Sequence, residues 1–337
     1  MLMGKSIVIG SIAAVTAAAA ALVVLPAVAD DDGGDAAAGK GEGQAGHEGH
    51  AAAAGRIGAL SGSNQPDAVF FAGSLNGANE VPVEGGPAVG DKDGSALALM
   101  RVQGDEVAFA FKFRGIAAPT LAHIHQGGKG ANGAVKIPLF TEKLADGTDQ
   151  VTGTVKVTDP ALLQQLKDNP GGFYFNLHTG EFPGGAVRGQ VHRLDSTLDM
   201  HRPFRSFQAP VLQGQQVYKC AKQQDGSYAF TQDNVRARLA GNIAHFFVKP
   251  QEGPPAWLAP DLSAVTGKVT QRIDNGPKNI PELHLAATQK GRGSGKLSYA
   301  TEILRLNTVG GVAPAGACEP GAKAAVNYKA DYVFIGR

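Results

Sequence analysis

Neither sign of charge is in surplus: 31 lysines and arginines stand against 30 aspartates and glutamates in 337 residues. A protein that holds nucleic acid needs a basic excess to displace counterions from phosphates, so that class of partner is excluded. The same balance argues against a protein held on a membrane surface by charge. Aromatics are few at 7%, tryptophan is single and cysteine occurs twice. Several chemistry-bearing motifs are also missing. The sequence Gly291-Arg292-Gly293-Ser294-Gly295-Lys296 resembles a phosphate loop but misplaces its first glycine. It also carries Leu297 where a Ser or Thr must hold the metal, and it is expected to be a turn. His47-Glu48-Gly49-His50 lacks the spacing of a zinc-protease helix. No nucleophile-elbow sequence of a hydrolase is present in the second half.

What the chain does have is glycine, 46 residues, about twice the usual share of ~7%. It also has one long uncharged apolar run at residues 7–25. Lys5 precedes that run and Pro26-Ala27-Val28-Ala29 follows it as a small-residue cleavage site. Residues 1–29 are therefore expected to be a signal peptide cut after Ala29, and the mature protein to be secreted or extracytoplasmic. No membrane attachment is expected after cleavage, because no cysteine near the site could carry a lipid. Export disfavours ATP- or NAD-dependent chemistry. It favours a bridge between Cys220 and Cys318, the one pair available. A loop that long adds about 4–5 kcal/mol in the chain-entropy treatment.

Residues 30–66 are Ala/Gly-rich, acidic at the start and poor in large apolar side chains, the composition of a disordered tether. Residues 68–194 read as short strands divided by glycine turns, with runs at 96–102, 107–113 and 173–178. One helix is expected after Asp159-Pro160, stopped by Asn169-Pro170-Gly171-Gly172. A polar connector follows at 195–209, then a second β-rich unit at 210–337. The fold class is all-β, in two domains. The first is an antiparallel Greek-key-like sandwich with one short helix, the second a disulfide-stapled sandwich or barrel.

The sharpest chemical signal is His123-Ile124-His125 on strand-like sequence, because alternation with period two puts both imidazoles on one face. His178 ends a later strand, and His192 follows another as a further candidate ligand. Neutral imidazoles suit copper, zinc, iron or nickel, and the first domain has no thiolate to compete. A hydrogen-bonded polar cluster is the structural alternative for the same histidines. His245 and His284 lie in apolar runs and are read as core or rim residues, and His201 as solvated. Trp257, between prolines, reads as a loop anchor or a ligand platform.

Three ordered motifs carry a family resemblance. Phe-Ala-Gly-Ser-Leu-Asn-Gly-Ala-Asn-Glu-Val-Pro at 71–82 resembles the opening of the chordin-type domain, CHRD. Ala122-His123-Ile124-His125 with its glycine loop, and the stretch from Asn176-Leu177-His178-Thr179 to Gly189-Gln190, resemble its central signatures. Ala186 stands where the family pattern usually carries Glu. The resemblance implies a β-sandwich of secreted proteins, with no single biochemical activity. A second similarity is to copper-only superoxide dismutases. It implies a copper ion on His123, His125 and His178, with Arg188 guiding a small anion such as superoxide. If the histidines are structural, the expected partner is instead an extracellular protein or cell-envelope component. Gly214 to Cys220, Pro254-Pro255-Ala256-Trp257, Asn307 to Pro314 and Tyr328 to Phe334 resemble a family of unknown function, DUF3455.

Overall fold

The computed structural model describes residues 55–60 and 62–337; the expected signal peptide and residues 30–54 of the expected tether lie outside them. In the first domain β1 is Arg56–Ile57, β2 Val69–Asn76, β3 Ser95–Gln103, β4 Glu106–Arg114 and β5 Leu121–Gln126. Strands β6 (Val135–Phe140) and β7 (Gln150–Lys156) precede the helix α1 (Pro160–Asp168). Strands β8 (Phe173–His178), β9 (Val187–Gln190) and β10 (His192–Arg193) complete it.

All pairings are antiparallel, in the order β1-β7-β4-β3-β2-β9-β8-β5-β6, with β10 also on β2. A single register pair, Asn76 with Arg188, joins β2 to β9, so the order divides there into two leaves that close on one apolar core. Gly189 permits the approach: a Cβ there would run into the backbone of Ser74. The helix starts as its sequence dictates. Asp159 accepts from the amides of Ala161 and Leu162 at 2.9 and 3.0 Å, and Leu163 and Leu166 face the core. The strand β6 ends the order, with Pro138 opposite His123 and slips in register on both sides of the His123–Ile124 step.

The second domain is a closed antiparallel barrel. Its strands are β11 (Phe207–Lys222), β12 (Tyr228–Leu239), β13 (Ile243–Phe247) and β14 (Pro255–Leu258), then β15 (Ser263–Ile273), β16 (Glu282–Gly291), β17 (Ala300–Gly310) and β18 (Lys323–Gly336). Pairing of β11 with β18 closes it. Along β18, Tyr328, Ala330, Tyr332 and Phe334 point into the barrel while Val333 and Ile335 point out, the period-two alternation of a barrel wall. Of the two architectures the composition allows, closure selects the barrel.

The outward residues Val333 and Ile335 meet the outer face of the first leaf. There Phe70, Ala72, Leu97, Leu99, Ala108 and Ala110 form a second apolar cluster with Leu304 and Leu306 of β17. Leu198 and Met200 of the expected polar connector are buried in this joint, so the connector is packed rather than free. The expected tether likewise ends before residue 66. Arg56 and Ile57 pair with Thr154 and Gly153 of β7, an ordering supplied by a neighbouring strand rather than by their own composition. Among the described residues no helix is long and apolar enough to cross a membrane.

Cys220 of β11 is bridged to Cys318, in the segment between β17 and β18. The bridge therefore ties that segment to the strand that closes the barrel. Replacing both cysteines by serine is expected to cost about 3–5 kcal/mol. Denaturant unfolding of the two chains side by side measures it, and equal midpoints would show that the β11–β18 ladder alone sets the stability.

Candidate metal centre

Alternation along β5 sends Ala122 and Ile124 into the core and turns His123 and His125 to the opposite face. In the β5–β8 register Leu121 faces His178, His123 faces Asn176, and His125 faces Tyr174. Residues directly opposite share a face, so the three histidines, Asn176 and Tyr174 form one polar surface. Among the described residues, His123, His125 and His178 are the group of three whose ligand atoms all lie within 4.8 Å of one another. Ring centroids are 5.6 Å apart for His123–His125, 5.3 Å for His123–His178 and 6.3 Å for His125–His178. The three side chains lie close enough to bind one metal ion.

Two of the rings are oriented by carbonyls. His125 Nδ1 lies 2.9 Å from Gly133 O, and His178 Nδ1 lies 2.9 Å from Pro183 O. A carbonyl accepts only, so each Nδ1 carries the proton and each Nε2 carries the lone pair a metal requires. Gly133 must be glycine, because a Cβ there would strike the carbonyl of Gln126. His125 also stacks on Tyr174, with centroids 4.7 Å apart and planes 7° from parallel.

Arg188, opposite Asn176 on β9, is 1% exposed. Its guanidinium carbon sits 3.4 Å from the centroid of the Tyr174 ring. It donates to Gly128 O at 3.0 Å, Ala131 O at 2.7 Å and Asn132 Oδ1 at 3.1 Å. These partners belong to the glycine loop that follows His125. Arg188 thus lies beneath the loop and holds it. Lys129 of the same loop reaches the barrel, 2.7 Å from buried Glu282 and 2.7 Å from Asn275 Oδ1.

His192 is not brought to the cluster. It lies in the domain joint with its ring centroid 5.6 Å from that of His284. Burial, with His284 and Lys129 nearby, lowers its pKa to about 3 and keeps it neutral. His284 in turn is 3.4 Å from Glu302, and both are 2% exposed. His245 is buried, with Nδ1 2.9 Å from Ala256 O, and His201 is exposed. Trp257 lies on β14 inside the barrel rather than in a loop.

Glu80 was passed over in the sequence, although it sits within the first family motif. Burial raises its pKa from 4.5 to about 8, against the opposing pull of Arg188 and a hydrogen bond to Asn176. The only sequence signal was a carboxylate beside Val81-Pro82 in a segment that closes over the polar face. A Cβ on Gly185 would lie 2.6 Å from Glu80 Oε1 and 2.8 Å from Asn176 Nδ2, which places the three together.

Two family models match successive parts of the chain. Residues 71–191 match the CHRD domain model, and residues 233–336 match the model of a protein family of unknown function, DUF3455. No curated protein and no solved structure matches the chain.

Glu80 supplies a signed pH dependence. Its proton is held more tightly in the folded chain, so stability is greatest below about 4.5 and declines as pH rises to about 8. Glu80→Gln lacks that decline and should exceed the wild type by about 1–3 kcal/mol at alkaline pH. Urea unfolding of both chains at acid, neutral and alkaline pH measures it; parallel pH profiles would place Glu80 in contact with water.

Proposed function

For a chain that joins a CHRD domain to a DUF3455 barrel, we propose that the first domain is an extracytoplasmic metal centre in which His123, His125 and His178 hold one copper ion, and that its reaction is superoxide dismutation. The convergence of three imidazoles within 4.8 Å carries this reading. The donor set is all nitrogen, which fits copper, zinc or iron, and three ligands leave a position open for a small molecule. A copper ion held by these histidines would supply one-electron exchange, by which two superoxide anions and two protons would become dioxygen and hydrogen peroxide. The chain's own groups set the conditions. Gly133 and Pro183 fix the tautomers of His125 and His178. Arg188 fastens the loop, and its positive charge beside a Glu80 that burial keeps largely protonated favours approach of an anion. The disulfide and the CHRD domain fit an extracellular setting.

One observation favours a competing reading. Arg188 is spent on loop carbonyls, as it would be in a module that binds an extracellular partner and uses its histidines structurally. Elemental analysis of the untagged mature chain separates the two. About one copper per chain is expected, falling to background in the His123→Ala/His125→Ala double variant with its far-ultraviolet dichroism unchanged. Dismutation of superoxide should disappear with the metal. A chain that retains no metal after copper loading and dialysis would refute the centre, and a chain that holds only zinc would refute the redox chemistry.

Arg188→Lys keeps the charge but loses the planar fork that holds Gly128 O and Ala131 O through Nη2 and Asn132 Oδ1 through Nη1, so copper affinity should weaken about 10–100-fold. Competition with a calibrated chelator reads this directly. Unchanged affinity would mean that the loop does not position His125.

A further inference from the structure

The barrel does not fill its own interior. A cavity of about 410 Å³ lies within it, in the size range of small-molecule pockets. Eight strands are wide enough to enclose one small ligand. Much of the wall is apolar, including Val235, Leu283 and Leu285, with Trp257 stacked on His245 at 4.3 Å and 4°.

The polar part of the wall is one-sided. Arg305 and Arg272 line the cavity, and no aspartate or glutamate does. Three of its buried N–H groups have no acceptor: Gln216 Nε2, Trp257 Nε1 and Arg305 Nε. Gln216 is 3% exposed and Trp257 1%. Other atoms of the same side chains are already engaged. Gln216 Oε1 accepts from Gln232 at 2.9 Å, and the Arg305 guanidinium donates to Pro281 O at 2.8 Å. An unmet buried donor is costly, and three around one cavity call for an acceptor that the chain does not itself provide. Nor can a lining side chain become that anion at ordinary pH. Burial pushes the Tyr332 phenol up and holds His245 neutral, with a pKa of about 3.

We propose that the barrel is a binding site for a small apolar carboxylate, its carboxylate oxygens accepting from Arg305, Gln216 and Trp257 and its hydrocarbon body lying against Val235, Leu283 and Leu285. The proposal is independent of the metal reading, since it uses none of the same residues.

Trp257 is the only tryptophan in the chain, so its emission reports on this cavity alone. The full mature chain is titrated with decanoate and 3-phenylpropanoate, and in parallel with decanol and 3-phenylpropanol. A saturable one-to-one change is expected with the acids, at least about tenfold tighter than with the matching alcohols, as one charge-assisted hydrogen bond would give. Arg305→Gln should abolish the preference for acid over alcohol. Gln216→Leu, close in shape and lacking the donor, should reduce it and stands in should the arginine variant not fold. Equal binding of acids and alcohols, or no saturable change with either, would overturn the proposal and leave a water-filled cavity.

Discussion

A sheet that is apolar on both faces cannot leave one of them in water, and the first leaf of the sandwich is such a sheet. Along β2, β3 and β4, alternate residues enter the sandwich core, while Phe70, Ala72, Leu97, Leu99, Ala108 and Ala110 emerge on the other side. Fully burying one large aliphatic or aromatic side chain is worth about 1.5–3 kcal/mol, so this outer face needs a cover. The barrel wall, through Leu304, Leu306, Val333 and Ile335, is that cover, with Leu198 and Met200 filling the joint. The position of the barrel follows from that requirement. With it come the polar contacts around the joint: Asp331 with Ser74 and Asn76, Asn307 with Asn79, and Lys129 with Glu282.

The last of these links the cover to the histidine cluster. The loop after His125 is gripped from beneath by Arg188 and from the side by Glu282 of the barrel. Gly133, at the end of that loop, carries the carbonyl that sets the His125 tautomer. A single loop is thus the meeting point of β5, β9 and the second domain. Gly133 is there because the backbone must pass where no side chain fits, and Gly130 because the turn takes a φ of 75°.

Much of this was legible in the sequence where a local rule decides the outcome. His123 and His125 share a face because strands alternate, and the helix begins at Asp159-Pro160 because a cap and a fixed φ leave little choice. The strand at 173–178 coincides with its apolar run. Other features depend on partners far along the chain. The run 96–102 announced a strand, but nothing in it told that its second face would meet the barrel. Arg188 stands out in the sequence within its glycine-rich turn, yet its partners are carbonyls at Gly128 and Ala131, which no spacing rule encodes. His192 carried the same strand-end signature as His178 and came to rest at the joint beside His284. The raised pKa of Glu80 is likewise a property of what closes over it.

The strand β6 has one more consequence. Its backbone lies at the end of the sheet order, next to the strand that carries His123 and His125. An end strand is a template on which any passing chain can lengthen the sheet. Pro138, opposite His123, leaves β6 one amide donor short, and exposed Lys136 sets a charge on the strand, the two residue types that most discourage such growth. The barrel has no rim to defend. A chain built this way can be crowded at high concentration with its sheet protected against growth by other strands.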